Sequence, residues 1–266
     1  MDETTPLCES CGYDLSASAR HGSCPECGAP VASSLPGARI GSPWQQRRSL
    51  LSWGLTNLGS LFRPTHRFRT LRISSTGAAT LLTGNLLLAG AVIADPWVGA
   101  TTIDPARSVR DFSNPHELAL YAAAWLAWSL LVALTLLALT IVEYLGVRFF
   151  AARKGWRLTR AAALQVCAHA SIGWSLCGVL AIAAMVVPQI LIRYFHLALD
   201  HRWNLRPTFA CTLDLQTILL VVLPSAGYLA GLLSFEWLVF RGVRACRFAT
   251  LAPAPDTAPS PAPAAR

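Results

Sequence analysis

Long apolar runs, rather than an alternation of apolar and polar positions, dominate this chain. Gly77–Ala94 is uncharged and would be roughly 27 Å long as a helix rising about 1.5 Å per residue; Ile73–Thr76 can extend it. Leu118–Val142 holds 25 residues without a charge. A third run lies inside Ala161–Ile192, with its membrane part near Ala170–Ile192. A fourth, Leu215–Phe235, continues past Glu236 to Phe240. A helix needs about 20 apolar residues to cross the hydrocarbon core of a bilayer. Each run therefore predicts a transmembrane helix. Pro224 predicts a kink in the last, of a kind that neighbouring helices accommodate. Ahead of the first run, Trp44, Leu51, Leu55, Leu58 and Phe62 recur at helical period, with Arg47, Ser52, Thr56 and Ser60 elsewhere on the helix. An apolar face with basic flanks predicts a helix lying in the membrane interface. Residues 252–266, a low-complexity stretch rich in Pro and Ala, predict an extended, disordered tail.

Composition excludes two classes. Of 266 residues, 53% are hydrophobic and 14% charged, where a soluble domain carries about 25% charged. So few charges cannot cover a soluble globule, and so apolar a chain is not intrinsically disordered. The net charge is +8, from 22 Lys+Arg against 14 Asp+Glu, and Lys154 is the only lysine. Eight of the basic residues precede the first run, five lie in the second connection and four follow the last run; the other two connections hold two and three. Basic residues stay on the cytoplasmic side, so both termini are expected in the cytoplasm of a cell with the chain in its inner membrane. The stretch from Arg39 to Arg72 holds seven arginines, which also fits nucleic-acid binding. Its place beside the first span is reason enough for arginines, so nucleic acid is the weaker reading and the lipid bilayer is the expected partner.

Residues 1–35 carry no basic start followed by an apolar run, as a secretory signal would need. They are expected on the cytosolic side, where thiols stay reduced. Four of the eight cysteines lie here as C-x2-C-x12-C-x2-C: Cys8, Cys11, Cys24 and Cys27. Two cysteines separated by two residues grip one ion from a tight turn. The glycine after each pair, Gly12 and Gly28, permits positive φ, so backbone N–H groups can point at the sulfurs. Four thiolates in this spacing make a tetrahedral site, most often zinc. About 30 residues have too little core to fold unaided, so the metal would supply the folding energy. Cys167 and Cys177, set in apolar sequence, read as small apolar fillers.

Cys11-Gly12-Tyr13-Asp14-Leu15 with Cys24-Pro25-Glu26-Cys27-Gly28 resembles the short zinc ribbon found as an N-terminal appendage on bacterial membrane proteins. The knuckles are also similar to those of rubredoxin, although the 12-residue spacer is shorter and points to structural Zn2+ rather than redox iron. The remainder, with its Arg-rich approach Phe62-Arg63-Pro64 before a compact helical bundle, is faintly similar to Yip1-like membrane proteins. Both resemblances imply a cytosol-facing interaction module on a membrane body.

Chemistry inside the membrane part is sparse. Asn85 and His169 are its polar candidates, and His169 reads as a packed, satisfied histidine. On the outer side His196, Asp200 and His201 cluster, too few to guarantee a second metal site. No metalloprotease, phosphate-loop, nucleophile-elbow or dinucleotide motif is present, so no catalytic residue is assigned and the chain is read as non-enzymatic. The expected architecture is an all-α membrane bundle of four transmembrane helices with a small N-terminal zinc ribbon. Its parts are the ribbon at 1–35, a basic linker with a possible interfacial helix at 36–76, the four-helix region at 77–242 and a disordered tail at 243–266. The expected function is an interaction or assembly role, with the ribbon docking a cytosolic protein. The alternative is a transporter of small solutes or lipids regulated by the ribbon.

Overall fold

In the computed structural model, residues 5–35, 37–74, 76–102, 115–194 and 222–251 are described. Three short helices, α1 (Pro43–Gln46), α2 (Leu50–Phe62) and α3 (Pro64–Thr70), precede α4 (Ala78–Thr102), α5 (Pro115–Arg153), α6 (Arg160–Ala170), α7 (Ile172–Tyr194) and α8 (Leu223–Cys246). Among the described residues there is no β-strand, and two isolated bridges, Leu7 with Asp14 and Ser23 with Pro30, mark the N-terminal segment.

Four stretches are long and apolar enough to cross a membrane: Ala78–Asp95, Pro115–Arg153, Arg160–Val187 and Leu223–Cys246. They coincide with the four runs of the sequence. The third is broken by a turn at Ser171 into α6 and α7. In the fourth, residues 215–221 lie outside the described residues, as do His196, Asp200, His201 and the Pro/Ala stretch 252–266. At 39 residues, α5 measures roughly 58 Å, about twice a hydrocarbon core of about 30 Å. Its C-terminal turns therefore extend beyond any span. There Arg148 lies 5.6 Å over the Tyr144 ring and Arg153 4.9 Å over Phe149. The helix stops at Gly155, whose φ of 69° lets the Trp156 N–H turn back to the Ala151 carbonyl at 2.9 Å.

The chain divides into two compact units. The first comprises residues 1–81, 142–169 and 239–266, and the second 82–141 and 170–238. The first thus gathers the N-terminal part, the second connection and the C-terminal part, the three regions that hold most of the basic residues.

In the second unit, close backbone contact replaces large interlocking side chains. Gly173, Cys177 and Ala181 stand one turn apart on α7. They meet Phe235, Gly231 and Gly227 of α8 in antiparallel register. A Cβ on Gly231 would fall 2.6 Å from the Cys177 Sγ, and one on Gly227 2.8 Å from the Ala181 nitrogen. Small residues four apart are how apolar helices approach closely enough for dispersion forces to hold them. Trp174 stacks on Phe235 at 4.2 Å and donates its indole N–H to the Thr140 hydroxyl at 3.1 Å. Outward, α5 exposes Leu126, Leu131, Leu134 and Ile141, a continuous apolar surface of the sort soluble monomers avoid.

In the first unit, α2 is inside out. Its Ser52, Thr56, Asn57 and Ser60 are buried, while Leu50, Leu51, Leu55, Leu58 and Phe62 are exposed, Leu50 at 88%. The buried polar groups are hydrogen-bonded. The Thr56 hydroxyl accepts the Trp44 N–H at 2.9 Å, the Ser60 hydroxyl donates to the Thr56 carbonyl at 3.0 Å, and Ser49 with Ser52 form a capping box. Trp44, grouped by periodicity with these leucines, belongs instead to α1, and its indole donates to the Gly77 carbonyl at 3.0 Å. The chain is extended at Arg47 between the two helices, so one helical phase cannot run through both.

Candidate metal centre

Two loops of the same design build the site. In the first, the Gly12 N–H returns to the Cys8 carbonyl at 2.8 Å and the Cys8 N–H reaches the Tyr13 carbonyl at 2.8 Å. In the second, Gly28 N–H to Cys24 carbonyl (2.9 Å) and Cys24 N–H to Ala29 carbonyl (2.8 Å) repeat the pattern 16 residues on. Both glycines have positive φ, 85° at Gly12 and 72° at Gly28, as the turn requires. The loops face each other and bring the four sulfurs together, all within 4.8 Å of one another. Cys8 Sγ is 3.5 Å from Cys27 Sγ, and Cys11 Sγ is 3.6 Å from Cys24 Sγ. Four sulfurs about 2.3 Å from a tetrahedral zinc would sit about 3.8 Å apart, so the quartet is already close to ligand spacing.

The electrostatics suit a cation. Burial opposes ionisation of the Cys8 thiol, but the N–H groups of Cys11 and Ser10 and the neighbouring thiols of Cys27 and Cys11 outweigh it and bring it down to about 7. The Tyr13 N–H favours the Cys11 thiolate, yet desolvation and the thiols of Cys27, Cys24 and Cys8 push it up to about 12. A second, third and fourth negative charge in this small space needs a positive ion at its centre. Cys8 and Cys24 are buried beside Leu15 and Val31, whereas Cys11 and Cys27 are exposed. An ion held by all four would have no coordination position left for a substrate, as in structural sites.

The cysteine segment is fastened to the rest of the first unit through its first loop. Arg39, only 7% exposed, grips both oxygens of Glu9, with Nε at 2.6 Å and Nη2 at 3.0 Å. The same guanidinium donates to the carbonyls of Phe68 at 2.9 Å and Ala245 at 2.8 Å. One side chain thus ties the cysteine loop to the end of α3 and the end of α8. Arg157 donates to the Thr5 carbonyl and Arg247 to the Ser10 carbonyl. Gly12 lies against the Phe248 ring, where a Cβ would come within 2.8 Å. The second loop is turned the other way. Pro25, Glu26, Cys27 and Gly28 are exposed, and the space around Gly28 is open.

In sequence Arg39 is one basic residue among eight before the first span. Only its burial singles it out, and no local spacing signals it. Replacing it with methionine leaves Glu9 half-buried without its fork and the carbonyls of Phe68, Leu71 and Ala245 without this donor. We expect Arg39→Met to cost about 3 kcal/mol or more, the range for breaking a buried pair on one side. The readout is the thermal unfolding midpoint of the purified protein; a midpoint equal to that of the wild type would show that this junction does not hold the unit together.

The other polar candidates are satisfied within their own units. The His169 ring is fully buried; Nδ1 lies 2.8 Å from the Gln165 carbonyl and Nε2 3.1 Å from the Ser42 hydroxyl. A carbonyl only accepts, so Nδ1 carries the proton and Nε2 accepts from Ser42. Asn85 is buried and donates to the Ser171 hydroxyl at 3.0 Å. Cys167 and Cys177 are buried in helix contacts. Compared with protein-family models, curated proteins and solved structures, the chain matches none of them.

Proposed function

We propose that this chain is an integral protein of the cytoplasmic membrane whose N-terminal segment is a structural zinc ribbon, serving as a non-enzymatic interaction or assembly protein. The observation that carries the membrane reading is the composition of the first unit. The three regions assembled there are the three that charge asymmetry assigns to the cytoplasm. The outward leucines of α2 suit a helix resting at the lipid interface on that side. Both termini and the ribbon then lie in the cytosol, in the arrangement of a ribbon carried by a faintly Yip1-like bundle.

The docking role rests on the unequal use of the two loops. The first is occupied by Arg39, Arg247 and Phe248, while the second presents Pro25 and Glu26 to solvent. A rigid, metal-braced loop held away from the body loses little entropy on binding, which favours its use as a recognition element. The expected result is that Glu26→Arg leaves zinc content and membrane insertion unchanged but removes at least one protein that crosslinks to the wild type in native membranes. Identical crosslinked sets for wild type and Glu26→Arg would refute the docking role, and a chain found outside the membrane fraction would refute the membrane reading.

A further inference from the structure

A cavity of about 670 Å³ opens in the first unit between the cysteine segment, α3 and the end of α8. Four arginines line it: Arg69, Arg241, Arg244 and Arg247. Arg241 and Arg244 lie one turn apart on α8, and Arg247 follows three residues later, so the three share one wall. Arg69 enters from α3. The acid among the described lining residues is Glu9, and both of its oxygens are already held by Arg39.

Two of these arginines are held by neighbouring rings. Arg244 is laid over Phe240 at 5.5 Å and Arg247 over Phe248 at 5.2 Å, which restricts their guanidinium planes. Arg247 gives one nitrogen to the Ser10 carbonyl, while its Nε is buried without a hydrogen-bond partner. Guanidinium groups gathered round one space repel, and an anion there relieves that repulsion. A carboxylate has two oxygens, too few for several guanidinium forks; a phosphate has three or four and matches the fork in geometry. The volume is that of a small-molecule site, about 300–1,000 Å³, which admits a headgroup or a small metabolite and not a nucleic-acid duplex.

We propose that this cavity binds a phosphate group, borne by an anionic phospholipid headgroup or by a soluble phosphorylated small molecule. The inference stands on the arginines and does not need the docking role of the cysteine segment. Two features place lipid phosphates within reach. Arg241 and Arg244 close the last apolar helix, and α3 directly follows α2 with its outward leucines.

The test uses the full-length purified protein with two probes. One is phosphatidylglycerol, titrated into phosphatidylcholine nanodiscs and read by native mass spectrometry. The other is inorganic pyrophosphate, titrated by calorimetry in lipid-free detergent. Three variants are compared: Arg241→Gln with Arg244→Gln, Thr65→Trp, which narrows the cavity and keeps its charge, and Arg148→Gln with Arg153→Gln, which removes equal charge from α5. We expect saturable binding of at least one probe, weakened tenfold or more by the first two variants and less than twofold by the third. Binding of phosphatidylglycerol alone assigns the headgroup; binding of pyrophosphate alone assigns a soluble ligand. The proposal is overturned if neither probe saturates, if Thr65→Trp binds like wild type, or if the α5 pair weakens binding as much as the cavity pair. Should the arginine pair fail to yield folded protein, the Thr65→Trp comparison decides.

Discussion

Cys24→Ser is expected to abolish stoichiometric zinc binding and to unfold residues 5–35 while leaving the apolar helices in the membrane. The core of this segment is small: Leu15 and Val31 packed with Cys8 and Cys24, bordered by Ala29 and Leu35. Chains below about 40 residues need a metal, disulfides or a partner to hold their shape. Structural zinc supplies about 10–16 kcal/mol in comparable small sites, far above what two or three apolar side chains provide at about 1.5–3 kcal/mol each. Serine is a poor zinc ligand, and three thiols alone do not close a tetrahedral site. Metal content per chain and limited proteolysis check the expectation. The variant, or wild type treated with a strong chelator, should be cut within residues 5–35 and the untreated wild type spared. One zinc per chain in Cys24→Ser would end the tetrathiolate assignment. The dependence on pH follows from the same thiols. The ligand is the thiolate, so protons compete with metal and loading releases them. With Cys8 ionising near 7 and Cys11 near 12 in the metal-free segment, rising pH favours loading. Affinity for the metal should therefore fall as pH is lowered, and more steeply below about 7, where Cys8 also holds its proton in the metal-free segment.

The second large effect belongs to the helix crossing. Gly231→Leu places four carbons where a single Cβ would already lie 2.6 Å from the Cys177 sulfur. The backbones of α7 and α8 must then separate, and the Gly227–Ala181 and Gly173–Phe235 contacts are lost with them. Overpacking of a tight interior costs about 1–3 kcal/mol and more where backbone has to move; here the upper end or beyond is expected. Gly146→Leu on α5 is the matched control, because the space around Gly146 is open. Thermal stability in detergent, read as the temperature at which the monodisperse peak is lost, should fall steeply for the first and stay near wild type for the second. Equal melting of the two variants would mean that the close crossing does not exist.

Much of this was legible in the chain itself. The four apolar stretches were, because helices in lipid must satisfy their own backbone and need only length and apolar character to do so. The paired cysteines and their glycines were, because a metal knuckle is set by residues within five positions of one another. The Gly227-x-x-x-Gly231 spacing carries a further local signal: a small-residue interval shows which face can approach closely, and here it names the face of α8 that meets α7. Trp44 was misgrouped, because an extended residue at Arg47 resets the helical phase and periodicity does not register such a break.

By itself, then, the order of residues determined that the chain is helical and apolar with four membrane-length segments, that four thiols can share one ion, and that its arginines divide unequally among the connections. Each of these depends on neighbours close along the chain. Tertiary structure alone decided which arginines matter. Arg39 is buried because residues 9, 68 and 245 converge on it, and Arg69 faces Arg241, Arg244 and Arg247 across a cavity because α3 and the end of α8 are brought together. All carry the same guanidinium on the same flexible stem, so their different places come from long-range packing, which buries Arg39 and leaves Arg69, Arg241 and Arg244 exposed around an open space.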